Sequence, residues 1–270
     1  MTHPRLIALD LDGTLLRSDG TVSARARAAL RAARARALEI VVVTARPPRA
    51  LRPLGLDDGA VADEAICANG ALVYDLARDA LVEERPLAPQ IVGRLVTDLR
   101  RAVPGIVFAA EAGLQFCREP GYRPGDSLDA TPQDTVVEDG LRFADRRLAK
   151  LLARHPGTEI KLVLPLAQAI AGGEAVVTRS TADLLEISAA GVTKASALAR
   201  LCARLGLDRA AVVAVGDHLN DLPMLDWAGR SVAVANAHPD VLAAVDEVVA
   251  GNDDDGVAAL LERLAAAGHA

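Results

Sequence analysis

Two carboxylates one residue apart, Asp10 and Asp12, follow directly on a short aliphatic run, Leu6–Leu9, and lead into Gly13-Thr14-Leu15. Ending a buried strand in two acids is costly unless a cation or a ligand meets them. Gly13 frees the backbone to turn sharply and to approach that ligand closely. Capping of the next helix would account for one aspartate, not for both. Three other element ends supply complementary groups. Residues 40–43 run into Thr44-Ala45-Arg46, a hydroxyl and backbone donors suited to phosphate. Residues 211–215 run into Gly216-Asp217-His218-Leu219-Asn220-Asp221, which adds two carboxylates, and Lys194 opens a helical pattern. Singly, Thr44 reads as a strand end and Lys194 as a surface charge. Together, four carboxylates beside a hydroxyl and an amine describe a site for a phosphate and a hard cation. An all-oxygen set with no His or Cys cluster favours Mg²⁺ over zinc.

Those residues need elements to position them. Five short apolar runs, Leu6–Leu9 and residues 40–43, 65–68, 211–215 and 231–235, are mostly continuous rather than alternating. That is the pattern of strands buried on both faces of a parallel sheet. Helical patterns lie between them. Ser23 caps one running to Ala37, Thr193 caps one from Lys194 to Leu205 with Gly206 as its stop, and Asp221 caps a third that closes at Gly229. Strand and helix in alternation predict an α/β fold, a doubly wound parallel-sheet core.

The middle of the chain departs from this rhythm. Strands are predicted at residues 106–111, 114–118, 159–164, 175–179 and 184–188, with helices at 90–102, 141–155 and 166–171. This is an α+β pattern, an antiparallel sheet with helices on one face. The expected division is a core in two parts, residues 1–84 and 188–270, interrupted by an inserted second domain at 85–187. A polar loop at 119–135, rich in Gly and Pro, is long enough to suggest function.

Composition narrows the class. The 270 residues carry 30 Lys and Arg against 36 Asp and Glu, a net charge of −6, and are 51% hydrophobic. That is a globular composition, and its acidic balance argues against a nucleic-acid partner. The arginines at 25, 27, 31, 34 and 36 read as a solvated helix face. Three scattered cysteines read as reduced thiols, and no run suits a signal peptide or a membrane span. A cytoplasmic protein, a monomer or small homo-oligomer without membrane or nucleic-acid partners, is expected.

The motifs have a familiar arrangement. Asp10-Leu11-Asp12-Gly13-Thr14, Thr44, Lys194 and the Gly216 to Asp221 segment resemble the four motifs of the haloacid dehalogenase superfamily of phosphohydrolases. The late insert, the Gly191-Val192-Thr193-Lys194 approach, Asn69-Gly70 and Asn252-Asp253-Asp254-Asp255-Gly256 resemble its Cof-like branch, which carries a large C2-type cap. Ala45 and His218 stand where that branch often has glycine.

The resemblance implies a division of labour. Asp10 is the nucleophile that becomes an aspartyl-phosphate, and Asp12 is the general acid and base. Mg²⁺ sits on Asp10, the Asp12 main-chain carbonyl and Asp217. Thr44, Ala45, Lys194 and Asn220 hold the phosphoryl group, with Asp221 behind them steering Lys194 or metal-bound water. Arg46 and the cap residues Arg118, Tyr122 and Arg123 are candidate substrate contacts. The expected activity is Mg²⁺-dependent hydrolysis of a small phosphorylated metabolite, a sugar phosphate or phosphorylated cofactor. A phosphomutase or phosphotransferase on the same core, and a catalytically silent phosphate-binding regulator, are the alternatives.

Overall fold

The chain begins with strand β1 (Leu6–Leu9), helix α1 (Ala24–Arg34) and strands β2 (Glu39–Val43), β3 (Glu64–Cys67), β4 (Leu72–Asp75) and β5 (Ala80–Glu84). Next come α2 (Pro89–Ala102), β6 (Val107–Ala112), β7 (Gln115–Arg118), β8 (Val136–Val137), β9 (Lys150–Arg154), α3 (Ile160–Ala171), β10 (Ala175–Thr181) and β11 (Leu184–Ala189). It closes with α4 (Lys194–Leu205), β12 (Val212–Gly216), α5 (Leu222–Trp227), β13 (Arg230–Val234), α6 (Pro239–Leu242), β14 (Glu247–Val249) and α7 (Gly256–Ala267). The structure, a computed structural model, describes residues 4–56, 61–123, 135–181 and 183–267. Among them no helix is long and apolar enough to cross a membrane. The fold divides into two units. One comprises Met1–Thr44, Leu51–Val82 and Thr193–Ala270; the other comprises Ala45–Ala50 and Glu83–Val192.

The first unit is built on an eight-stranded sheet of order β14-β13-β12-β1-β2-β3-β4-β5, parallel from β14 through β3. Every residue of β1 is buried, so both its faces are covered, as its unbroken aliphatic run requires. Strand order runs outward from β1 in one direction through β2 and β3, and in the other through β12 to β14. The β1/β12 boundary is therefore the topological switch point, where ligands of open α/β sheets bind. Asp10, Thr44 and Asp217 follow the carboxyl ends of β1, β2 and β12. The Ser23 hydroxyl caps α1 by accepting from the Ala26 N–H at 2.9 Å. That helix ends at Arg34, short of Ala37, which takes a left-handed φ of 59°.

The second unit is a six-stranded sheet of order β10-β11-β9-β6-β7-β8, antiparallel except for the β7/β8 pair. Helices α2 and α3 cover one face, with Val92, Leu95 and Leu99 and then Ile160, Val163 and Ala167 packed on Phe108, Leu151 and Ile187. Two predicted elements are wrong here. Residues 141–155 are not a helix but a 3₁₀ turn, Gly140–Asp145, followed by the central strand β9. Residues 159–164 are not a strand; they enter the first half of α3. Short apolar runs suit either state, and long-range strand pairing decides between them.

Candidate active site

Asp10 continues the β1 ladder by donating its N–H to the Val215 carbonyl at 3.0 Å. The chain then makes a wide turn, Leu11–Leu15, closed by the Leu16 N–H on the Leu11 carbonyl at 2.8 Å. Helical geometry is broken inside it at Asp12 (φ −73°, ψ 119°) and Gly13 (φ 77°, ψ −5°). Only glycine fits position 13. Besides its left-handed φ, a Cβ there would lie 2.4 Å from Asp217 Oδ2. The turn leaves Asp10 buried and Asp12 exposed, and the Thr14 hydroxyl donates to Asp217 Oδ1 at 3.0 Å.

Lys194 arrives from the other end of the sequence. A capping box, in which Thr193 and Ser196 satisfy each other's backbone N–H groups, fixes the start of α4 and with it the lysine. The backbone must come close to the 68–70 turn. A Cβ on Gly70 would lie 2.4 Å from the Thr193 carbonyl. Lys194 Nζ donates to Asp10 Oδ1 at 2.5 Å and to Asp221 Oδ1 at 2.6 Å, and all three side chains are buried. Asp221 does not cap α5 with its side chain, contrary to expectation. Its Oδ2 instead accepts from the N–H groups of Asp217 and His218, at 3.2 and 3.0 Å, folding the 217–221 loop back on itself.

One carboxylate oxygen from each of Asp10, Asp217 and Asp221 lies within 4.8 Å of the others. Burial pushes the Asp10 carboxyl well above the usual carboxylate range despite Lys194, with Asp221 and Asp217 adding repulsion. Burial also raises Asp217, helped by Asp221. Lys194 is held above its ordinary value, because Asp10 and Asp221 outweigh the effect of its burial. Three carboxylates against one ammonium is a donor set that suits a hard divalent cation. Asp221 has both oxygens engaged by protein donors, which leaves Asp10 and Asp217 better placed to ligate one.

The other candidates separate. Thr44 is fully buried at the end of β2, with its N–H on the Ile66 carbonyl at 2.8 Å. Asn220 is exposed, and its amide donates to Asn69 Oδ1 at 3.4 Å. Ala45 and Arg46 group with the second unit. Arg118 donates to the carbonyls of Glu119 and Tyr122, at 3.3 and 3.4 Å, and Arg123 is exposed. Tyr122, a candidate substrate contact, is packed in the second unit. Its ring is buried edge-on against Phe116, with centroids 6.3 Å apart, beside Leu152 and Leu184. The rest of that loop, 124–134, lies outside the described residues.

A family model for haloacid dehalogenase-like hydrolases matches residues 7–261. The chain belongs to that family. Among its relatives is the 5-amino-6-(5-phospho-D-ribitylamino)uracil phosphatase YcsE of Bacillus subtilis (strain 168). It is 28% identical, over 94% of this chain and 93% of its own. The pyridoxal phosphate phosphatase YbhA of Escherichia coli (strain K12) is 28% identical, over 94% and 96%. Among solved structures, a haloacid dehalogenase-like hydrolase from Bacteroides thetaiotaomicron superposes with a TM-score of 0.81 at 27% identity, covering 97% of this chain and 99% of that one.

This hydrolase also has a charged cluster outside the sequence motifs. On the sheet face of the second unit opposite its helices, Lys150 Nζ lies 3.0 Å from Glu186 Oε2 and donates to the Ala45 carbonyl at 2.9 Å. Arg49 grips Glu111 with both guanidinium nitrogens, its Nη2 at 2.7 Å from Oε1, and stacks 4.9 Å above the Phe116 ring. A signal existed. Lys150 and Glu186 are charges embedded in otherwise apolar strand runs, Lys-Leu-Leu-Ala and Leu-Leu-Glu-Ile.

Proposed function

We propose that this family member is an Mg²⁺-dependent phosphatase that hydrolyses a small phosphorylated metabolite through a covalent aspartyl-phosphate. The observation that carries the reading is the buried Lys194 ammonium shared by Asp10 and Asp221, with Asp217 in the same cluster. A nucleophilic carboxylate, a fixed cation and an excess of negative charge are what phosphoryl transfer to an aspartate needs. Asp10, the Asp12 main-chain carbonyl and Asp217 would hold the Mg²⁺. When bound, it neutralises charge on the nucleophile and the phosphoryl group.

In the first step an Asp10 oxygen bonds to phosphorus as the ester P–O bond breaks, and Asp12 gives its proton to the leaving oxygen. In the second, water attacks phosphorus, Asp12 takes the water proton, and the Asp10–phosphorus bond breaks. The exposure of Asp12 suits a group that must trade protons with leaving group and water in turn. Lys194, Thr44, Ala45 and Asn220 bind phosphoryl oxygens, and Asp221 aims Lys194. Relatives named for a phosphoribityl-aminouracil and for pyridoxal phosphate support a sugar phosphate or phosphorylated cofactor as substrate.

The test is hydrolysis of p-nitrophenyl phosphate and a panel of phosphate esters by the full chain. Activity is expected to vanish in EDTA and return with Mg²⁺, with labelled phosphate trapped on the wild type and not on Asp10→Asn. Full activity in chelator, or label on another residue of the Asp10→Asn protein, overturns the reading.

A further inference from the structure

The turn that presents Asp12 is closed by one backbone hydrogen bond of its own, from the Leu16 N–H to the Leu11 carbonyl. Its dihedrals leave helical values at Asp12 and Gly13, so the carbonyls of Gly13 and Leu16 take their donors from outside the turn. Both are met by asparagine amides from the far end of the chain. Asn236 Nδ2 donates to the Gly13 carbonyl at 2.7 Å, and Asn252 Nδ2 donates to the Leu16 carbonyl at 2.8 Å. The two asparagines are chained, because the Asn252 N–H donates to Asn236 Oδ1 at 2.9 Å. That bond fixes which way the Asn236 amide faces. A flipped amide would set oxygen against the Gly13 carbonyl and N–H against N–H.

Two residues further on, the His238 N–H donates to the Asp217 carbonyl at 2.8 Å. The tripeptide Asn236-Ala237-His238 thus touches both acid-bearing loops, the Asp12 turn through a side chain and the Asp217 loop through its backbone. Those loops meet each other closely, through Thr14 Oγ1 on Asp217 Oδ1 and the bare Cα of Gly13 against the Asp217 carboxylate. We infer that Asn236 is a positioning residue that sets the spacing of Asp12 and Gly13 from Asp217, with Asn252 locking its amide. The inference rests on the catalytic reading above, and its content is mechanical. Displacements of about 1 Å at such a site cost about a hundredfold in rate, so a bracket on both loops acts on turnover before it acts on binding.

The experiment compares five variants by kcat and KM on p-nitrophenyl phosphate with Mg²⁺, and by amide hydrogen exchange of residues 11–18. Asn236→Ala is expected to lower kcat about 10- to 100-fold with KM changed less than about threefold. Asn236→Asp keeps the shape and the acceptor for Asn252 but loses the donor, so it should fall as far. Asn252→Ala should lose less. His238→Pro removes the bracketing N–H at a residue whose φ of −55° already suits proline. It should lose far more kcat than His238→Ala, which keeps that N–H. Exchange at residues 14–16 should quicken in Asn236→Ala while the thermal midpoint stays near wild type. Wild-type kcat in Asn236→Asp, or equal losses in the two His238 variants, overturns the bracket. Should the wild type fail to hydrolyse any ester, the catalytic reading falls, and hydrogen exchange alone decides whether Asn236 holds the turn: unchanged exchange in Asn236→Ala refutes it.

Discussion

Two buried lysines in this molecule sit among carboxylates, and their charge counts differ. Lys194 in the first unit faces Asp10 and Asp221, with Asp217 alongside, so three acids share one ammonium. Lys150 in the second unit pairs with Glu186 next to the Arg49–Glu111 pair, two cations for two acids. A balanced buried cluster satisfies itself, and removing one member strands its partner. An unbalanced cluster is strained until something positive arrives. On the proposed function, the difference separates a cluster that holds a fold from one suited to a cation.

The comparison breaks first at Asp10. Asp10→Asn should lower kcat/KM by about 10⁴ or more. It should not lower the thermal midpoint, because it relieves a crowded set and leaves Lys194 with Asp221. Lys150→Met should behave in the opposite sense, taking the ammonium away from the buried Glu186 carboxylate at a cost of about 3–5 kcal/mol. Chemical denaturation measures this, and Lys150→Met combined with Glu186→Leu should recover most of the loss. If Asp10→Asn unfolds as readily as Lys150→Met, the distinction between the clusters is erased.

Metal sharpens the contrast at a smaller scale. At a hundredfold excess over its dissociation constant, Mg²⁺ should stabilise the chain by about 2.7 kcal/mol. Calorimetry should find that gain absent in Asp217→Ala and intact in Glu186→Gln. The smallest effect concerns pH in chelator. Burial raises the folded-state pKa of Asp10 and Asp217, so the folded protein binds protons more tightly than the unfolded chain. Their contribution to stability is fully present below the ordinary carboxylate range and is lost as pH rises through the folded values. The stability of the wild type should therefore fall more steeply than that of Asp10→Asn as pH rises above the ordinary carboxylate range. Parallel curves would mean that the cluster is not strained.

The parallel core was legible because its strands are short, aliphatic and buried on both faces, a pattern little else produces. Asp10 and Asp217 were legible because each stands at the end of such an element, where an isolated charge needs a reason; Lys194, at the start of a helix, was legible only in combination with them. Asp221 was visible from the residues alone as a charge, and as a partner of Lys194 only through the family resemblance. The same residue type caps helices, and the folded loop shows its carboxylate on Lys194 and, unforeseen, on two backbone N–H groups. Residues 150–154 were misread because Lys-Leu-Leu-Ala-Arg fits a helix face as well as a central strand. Asn236 left no trace at all. Its partner is a backbone carbonyl 223 residues away, and every residue type offers one of those.

The strap Ala45–Ala50 lies between two stretches of the first unit yet belongs to the second. The chain therefore crosses between units four times rather than the two times a simple insertion needs. That has a consequence for how such domains can be exchanged between relatives. A recombination that transfers only 83–192 would part Lys150 and Glu111 from the Ala45 carbonyl and Arg49 that meet them. The inherited module would be a discontinuous one, in which six residues from the neighbourhood of Thr44 travel with a domain encoded some forty codons downstream.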